Sequence, residues 1–147
     1  MDERLRILDT DTLSLVQRDD PAVVNRLKAL PPKQRGITVI SVEEQMRGRL
    51  AQIAKAKGGE KLLPAYFLLE QTHRSLCKSQ RFAFDVQAQQ CFDELKRLKI
   101  RIGTMDLRIA AIVLANNAIL VTRNRQDFSK IPNLEIEDWS IQTGTVQ

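Results

Sequence analysis

Two cysteines and one histidine in 147 residues leave little material for thiol or zinc chemistry. Cys77 and Cys91 lack a CxxC spacing, and both fall in segments patterned as helices. They read as reduced, packed thiols of a reducing compartment. His73 stands among Glu70, Thr72 and Arg74 and cannot build a zinc site alone. Aromatic residues make up only 5%, so stacking platforms for nucleic-acid bases are scarce. No long hydrophobic run is present. The most apolar stretch, residues 109–120, is interrupted by Asn116 and Asn117 and is too short to span a bilayer. Met1-Asp2-Glu3-Arg4 lacks the charged-then-apolar pattern of a signal peptide, so a soluble, cytoplasmic protein is expected. There is no internal repeat, linker or low-complexity segment.

What is present suits one globular unit. Hydrophobic residues reach 43%, too many for a disordered chain. A domain of this length buries roughly two-thirds of the surface of its unfolded chain and needs no staples. A single domain over residues 1–147 is therefore expected. Lys and Arg number 23 against 18 Asp and Glu, a net charge of +5. That balance fits a polyanionic partner, and it fits solubility alone equally well.

Residues 5–8 and 37–40 are short apolar, β-rich runs; residues 82–84, 118–121 and 134–136 are three more candidates. Helices are expected between them. Asp20-Pro21 is an N-cap followed by proline, and Pro31-Pro32 stops the helix it opens. Ser41 with Glu44 three residues on reads as a capping box for a helix ended by Gly58-Gly59. Further helices are patterned over 12–17, 62–77, 86–99 and 104–116. The last is apolar all round, with Thr104 as its expected N-cap. Alternating strands and helices predict an α/β fold: three layers, α/β/α, around a mostly parallel sheet of four to five strands.

In such a sheet, ligands bind beyond the carboxyl ends of the strands. Acids recur there. Asp9 and Asp11 follow the first strand, and Glu43 and Glu44 the second. Asp127 lies in the loop after Val121, and Asp106 in the first turn of the apolar helix. Oxygen donors without His or Cys suit a hard cation, Mg2+ or Mn2+. Such a cation could activate water and stabilise charge on a phosphoryl oxygen. Each acid also has a plain explanation: turn residues for Asp9 and Asp11, the capping box for Glu44, the helix dipole for Asp106, a surface loop for Asp127.

The ordered segments resemble one known family. Ile7-Leu8-Asp9-Thr10-Asp11 is similar to the opening motif of PIN domains, and residues 38–48, with an acid four before Gly48, to their second. Gly103-Thr104-Met105-Asp106 resembles the third. Leu120-Val121-Thr122-Arg123-Asn124-Arg125-Gln126-Asp127-Phe128 resembles the fourth, and residues 131–139 a VapC-type tail. The resemblance runs from Leu5 to Trp139. It implies a PIN-like fold and a Mg2+- or Mn2+-dependent endoribonuclease, the toxin of a toxin–antitoxin pair. Its implied metal core is Asp9, Glu44 and Asp106. Glu44 is preferred to Glu43 for its distance to Gly48, which lies on the same helical face. Many relatives carry Asp where this chain has Asn124; here the fourth acid falls at Asp127, an outer or second-metal ligand, with Asn124 a positioning residue that can orient a water or accept from a donor. Asp11 and Thr122 are implied supports. Arg108, Arg123 and Arg125 lie within the motifs and are candidates for substrate phosphates; balancing nearby acids would explain Arg108 and Arg125 as well.

The expected reaction is hydrolysis of an RNA phosphodiester, with a structured RNA such as tRNA as substrate. Expected partners are that RNA, a small antitoxin protein and a second copy of the chain, through faces rich in leucine such as Leu62, Leu63, Phe67 and Leu68. A PIN-like nuclease acting on DNA, a degenerate PIN-like module that binds RNA without cutting it, and a phosphoacceptor receiver are the competing readings. Against the last, the middle-strand acid is Glu, and Lys130 sits in a poor context for a receiver lysine.

Overall fold

The strand β1, Arg6–Leu8, is buried at every position and stands at the centre of the sheet. The computed structural model describes residues 3–141. Met1 and Asp2, part of the stretch read for a targeting signal, lie outside the described residues. β2 (Arg35–Thr38) and β4 (Ile119–Val121) flank β1, while β3 (Arg81–Phe82) and β5 (Glu135–Glu137) form the edges. The order is β3-β2-β1-β4-β5, and all four pairings are parallel. Leu8 pairs with Ile37 on one side and Val121 on the other, so three strands reach the same level there, and β2 runs one residue further to Thr38, which pairs with Phe82 of β3. Gly36 is required by close approach: a Cβ there would come 2.6 Å from the Phe82 ring and 2.8 Å from the Gln80 carbonyl.

The pleat sends successive side chains to opposite faces. Ile7 and Leu120 join one core with the helices α5 (Val86–Arg97) and α6 (Thr104–Ala115). Leu8, Val121 and Ile37 join the other. That core takes Leu13 and Leu15 of α1 (Thr10–Gln17), Val23 of α2 (Pro21–Lys28) and Leu76 of α4 (Leu62–Lys78). The remaining long helix, α3 (Val39–Ala56), packs mainly against α4. The three-layer parallel fold read from the sequence is therefore present. α6 buries Leu107 and every residue from Ile109 to Val113, as its unbroken apolar run implied.

Several boundaries differ from the sequence reading. β2 ends at Thr38, and α3 starts there, because the Thr38 hydroxyl accepts the Ser41 N–H at 3.2 Å. Ser41 is thus inside the helix, and the expected capping box with Glu44 does not form. Gly103, not Thr104, caps α6. Asp127 is not in an open loop but in α7, Arg125–Phe128. Cys77 is exposed rather than packed, and Cys91 is half-buried.

Candidate active site

Asp9 is the residue after β1 and the N-cap of α1. Its backbone N–H continues the ladder to the Val121 carbonyl at 3.0 Å, which holds it at the level edge of three strands. Both carboxylate oxygens are engaged. Oδ1 accepts the Thr12 N–H at 2.8 Å, and Oδ2 accepts the Thr122 hydroxyl at 2.6 Å. The side chain is almost fully buried, at 5% exposure. Burial pushes its pKa above the ordinary value, against the pull of Thr122 and the Thr12 N–H. The Thr12 hydroxyl also favours the charged form of Asp9. It nevertheless reaches no partner at hydrogen-bonding geometry among the described residues.

Glu44 lies one turn into α3. Thr10, next to Asp9, donates its hydroxyl to Glu44 Oε1 at 2.6 Å and stands 2.8 Å from Ser41 Oγ. A threonine hydroxyl has one proton, so Ser41 must be the donor to Thr10. Ser41 and Thr10 therefore form a relay that ends on the Glu44 carboxylate. Glu43 instead pairs with Arg47 at 2.6 Å on the exposed side, as a solvated neighbour would. A Cβ at Gly48 would meet nothing within 4 Å, so packing does not require glycine there.

Asp106, in the first turn of α6, is half-buried. Burial first, then the carboxylates of Glu44, Asp9 and Asp127, push its pKa up to about 6. Glu44, Asp9 and Asp127 thus lie within electrostatic reach of Asp106 although the four come from separate segments. Asp127 is held by Asn124: the amide Nδ2 donates to Oδ2 at 3.0 Å, and the Asp127 N–H returns to Oδ1 at 3.2 Å. Lys130 Nζ stands 3.7 Å from Asp127 Oδ1. The Asn124 N–H donates to Thr122 Oγ1 at 3.0 Å, so one hydroxyl ties Asp9 to the loop that carries Asp127.

The arginines divide. Arg123 is bound to Asp11 through both Nε and a terminal nitrogen, at 2.8 and 3.0 Å. Arg108 lies 5.6 Å from the Phe92 ring centroid and reaches Met105 Sδ, and it has no ion pair among the described residues. Arg125 is exposed at the start of α7, with no ion pair among the described residues. Sequence reasoning missed Thr10 and Ser41, whose hydroxyls carry no signal that separates them from ordinary helix residues.

All the donors at this edge are oxygens, which suits Mg2+ or Mn2+. The mutual repulsion recorded in Asp106 is the kind a dication relieves. Among the described residues no three carboxylates converge on one point as they stand; Asp9, Glu44 and Asp127 rest on hydroxyl, amide or N–H donors. The donor set fits such an ion in chemistry and charge.

No family model matches the chain. It is 26% identical over 136 residues to ribonuclease VapC1 of Haemophilus influenzae (strain R2866), covering 91% of this chain and 97% of the relative. A shorter match, 48% identical over 46 residues, is to ribonuclease VapC2 of Rickettsia felis and spans 31% of this chain and 34% of that relative. Among solved structures, VapBC2 from Rickettsia felis bound to a promoter DNA fragment superposes with a TM-score of 0.71 at 26% identity. It covers 92% of this chain and 98% of that one. VapBC-1 from nontypeable Haemophilus influenzae has a TM-score of 0.70 at 22% identity, a likeness of fold covering 93% and 99%. The likeness carried by the motifs therefore extends over nearly the whole chain.

Proposed function

We propose that this chain, VapC-like in fold and in sequence, is a metal-dependent endoribonuclease and the toxin of a toxin–antitoxin pair. The observation that carries the reading is the carboxylates of Asp9, Glu44 and Asp127 brought within electrostatic reach of Asp106, which burial first and then these neighbours push up to about 6. Asp9, Glu44, Asp106 and Asp127 would hold Mg2+ or Mn2+. When bound, such an ion supplies Lewis-acid charge that lowers the barrier to attack by water and supports the leaving oxygen.

The protein's own part is orientation. Thr122 and the Thr12 N–H fix the Asp9 carboxylate, Thr10 fixes Glu44, and Asn124 fixes Asp127. Side chains locked in this way keep reacting groups in a productive geometry. Arg125, exposed beside Asp127, is free to meet a substrate phosphate, while Arg123 reaches one only by leaving Asp11. Few aromatics and a charge of +5 favour recognition by phosphates and shape, which suits a structured RNA such as tRNA. Among the described residues no helix is long and apolar enough to cross a membrane. The relatives whose structures resemble this one are VapBC complexes, which supports a small antitoxin as partner. The exposed Leu63, Tyr66 and Phe67 of α4 offer an apolar face for a second copy of the chain.

Total RNA incubated with purified protein and Mn2+ tests the reading. Cleavage that stops with EDTA and in Asp9→Asn supports it. Intact RNA beside an active control nuclease overturns it.

A further inference from the structure

A groove of about 690 Å3 runs from Asp11 along α1, between that helix and the α3–α4 pair. Asp11 lies within electrostatic reach of Asp9 at the acid edge, and the groove is lined further on by Arg18, Arg49, Arg74 and Lys78. The local acids do not cancel these charges. Asp11 is occupied by Arg123, which leaves Asp19 on the wall, and Glu70 engages Arg74 alone. Arg49 is fixed to neutral groups, Thr72 Oγ1 at 2.9 Å and Gln52 Oε1 at 3.1 Å. Arg18 and Lys78 are exposed and have no ion pair among the described residues.

The floor is polar and held in place. Gln17 and Gln45 exchange amide hydrogen bonds at 2.8 and 2.9 Å, and Gln17 also donates to Ser75 at 3.1 Å. This pairing joins α1, α3 and α4 beneath the cations. Gln17, Thr72 and Ser75 give the groove a polar surface beside the apolar Val16 and Leu68. Eight residues of α1 cover about 12 Å at 1.5 Å per residue. A strand whose reacting phosphate sits at the acids would lay its next phosphates along that length.

We propose that this groove binds the phosphate backbone of an RNA strand on one side of the scissile bond, with Arg18 and Lys78 as its principal contacts. The inference rests on the RNA-directed reading above and adds the path of the strand. Direct contact belongs to the two exposed cations; Arg49 supplies fixed positive charge behind them.

The test compares wild type with Arg18→Ala/Lys78→Ala, after urea unfolding has shown that both fold. Anisotropy of a labelled single-stranded RNA oligonucleotide is read in EDTA across a NaCl series, so that nothing is cut. The double variant is expected to bind roughly tenfold more weakly, with a salt slope smaller by about 1.4, two contacts at ~0.7 each. Arg18→Lys/Lys78→Arg is expected to restore both. With Mn2+ added, cleavage of the oligonucleotide should fall by a larger factor than cleavage of a dinucleotide, which is too short to reach the groove. Equal affinity and equal slope in wild type and variant overturn the inference, whether or not RNA is cut. So does an unchanged affinity for RNA with loss of a glutamate-rich peptide, which would make the groove a seat for an acidic protein segment. If wild type cuts no RNA but its RNA binding still depends on Arg18 and Lys78, the ribonuclease reading fails and the groove stands.

Discussion

The Thr122 hydroxyl donates to Asp9 Oδ2 at 2.6 Å across 113 positions of sequence, and both side chains are buried. Thr122 Oγ1 in turn accepts the Asn124 N–H at 3.0 Å. Thr122→Val keeps the shape but strands a buried carboxylate oxygen and a backbone donor. The expected loss is about 1–3 kcal/mol in urea unfolding. Thr122→Ser, which keeps the hydroxyl, should recover most of it. A loss shared equally by the two variants would assign the effect to the missing methyl group instead.

Thr10 provides a second test of orientation. Thr10→Val removes the donor to Glu44 Oε1 and leaves Ser41 without its acceptor. Partners of metal-binding carboxylates are typically worth 10–100-fold in metal affinity or activity. Cleavage should drop by about that factor in Thr10→Val and return in Thr10→Ser, with little change in the unfolding midpoint. Full activity in Thr10→Val would remove the relay from the mechanism.

The acids also set a pH dependence. Asp106 has an ordinary value of 3.8 and is raised to about 6 in the fold, chiefly by burial and then by its neighbours. Between those values the folded state binds more protons than the unfolded one, so stability falls as pH rises. Asp9, also raised, acts in the same direction. Glu137 acts oppositely. Burial works to raise it, but the Arg6 and Trp139 hydrogen bonds and the charges of Arg6 and Arg26 outweigh that and lower it. Its contribution is lost only as pH falls through that lowered value. Melting in EDTA from pH ~5 to ~7 should therefore show a declining midpoint in wild type and a flatter curve in Asp106→Asn. A wild-type midpoint that climbs over that range would contradict the arrangement.

Asn124 gives a metal-linked prediction. Asn124→Asp keeps an acceptor for the Asp127 N–H but replaces the amide donor with a second carboxylate at about 3.0 Å. Without metal, near neutral pH, the variant should melt below wild type. Mn2+ should raise the midpoint of both proteins, and that of the variant more, because binding to the folded state alone stabilises by mass action. Equal shifts would place the added charge away from any ion.

Much of this was legible in the chain. The acids at strand ends were visible because a parallel sheet exposes the residues that follow its strands: Asp9 follows β1 directly, and Glu44 and Asp127 lie in the helices after β2 and β4, whereas Asp106 arrives from the first turn of α6, which precedes β4. The start of α3 was misread because Thr38 and Ser41 are both hydroxyl residues able to cap, and only the pairing of Thr38 with Phe82 of β3 fixes where β2 ends. Glu44 then seemed to have a local role that Thr10 in fact gives it from another helix. The Gln17–Gln45 exchange was invisible for the same reason: glutamines at helical spacing look like solvated surface until two helices face each other. Arg108 shows the converse, a motif cation turned onto the Phe92 ring by contacts no spacing could reveal.

The distance in sequence between Asp9 and Thr122 also orders events during translation. At ribosomal rates of roughly 5–20 residues per second, Thr122 follows Asp9 by about 6–23 seconds. β1 has β2 within reach early, but its other neighbour, β4, and the whole Asn124–Asp127 arm are made close to the end of synthesis. A growing chain thus carries Asp9 and Glu44 without the arm that completes the acid edge. A message broken before β4 would yield a polypeptide without the Asn124–Asp127 arm, and on the proposed ribonuclease reading it is expected to leave RNA uncut, so that activity would await the last part of synthesis.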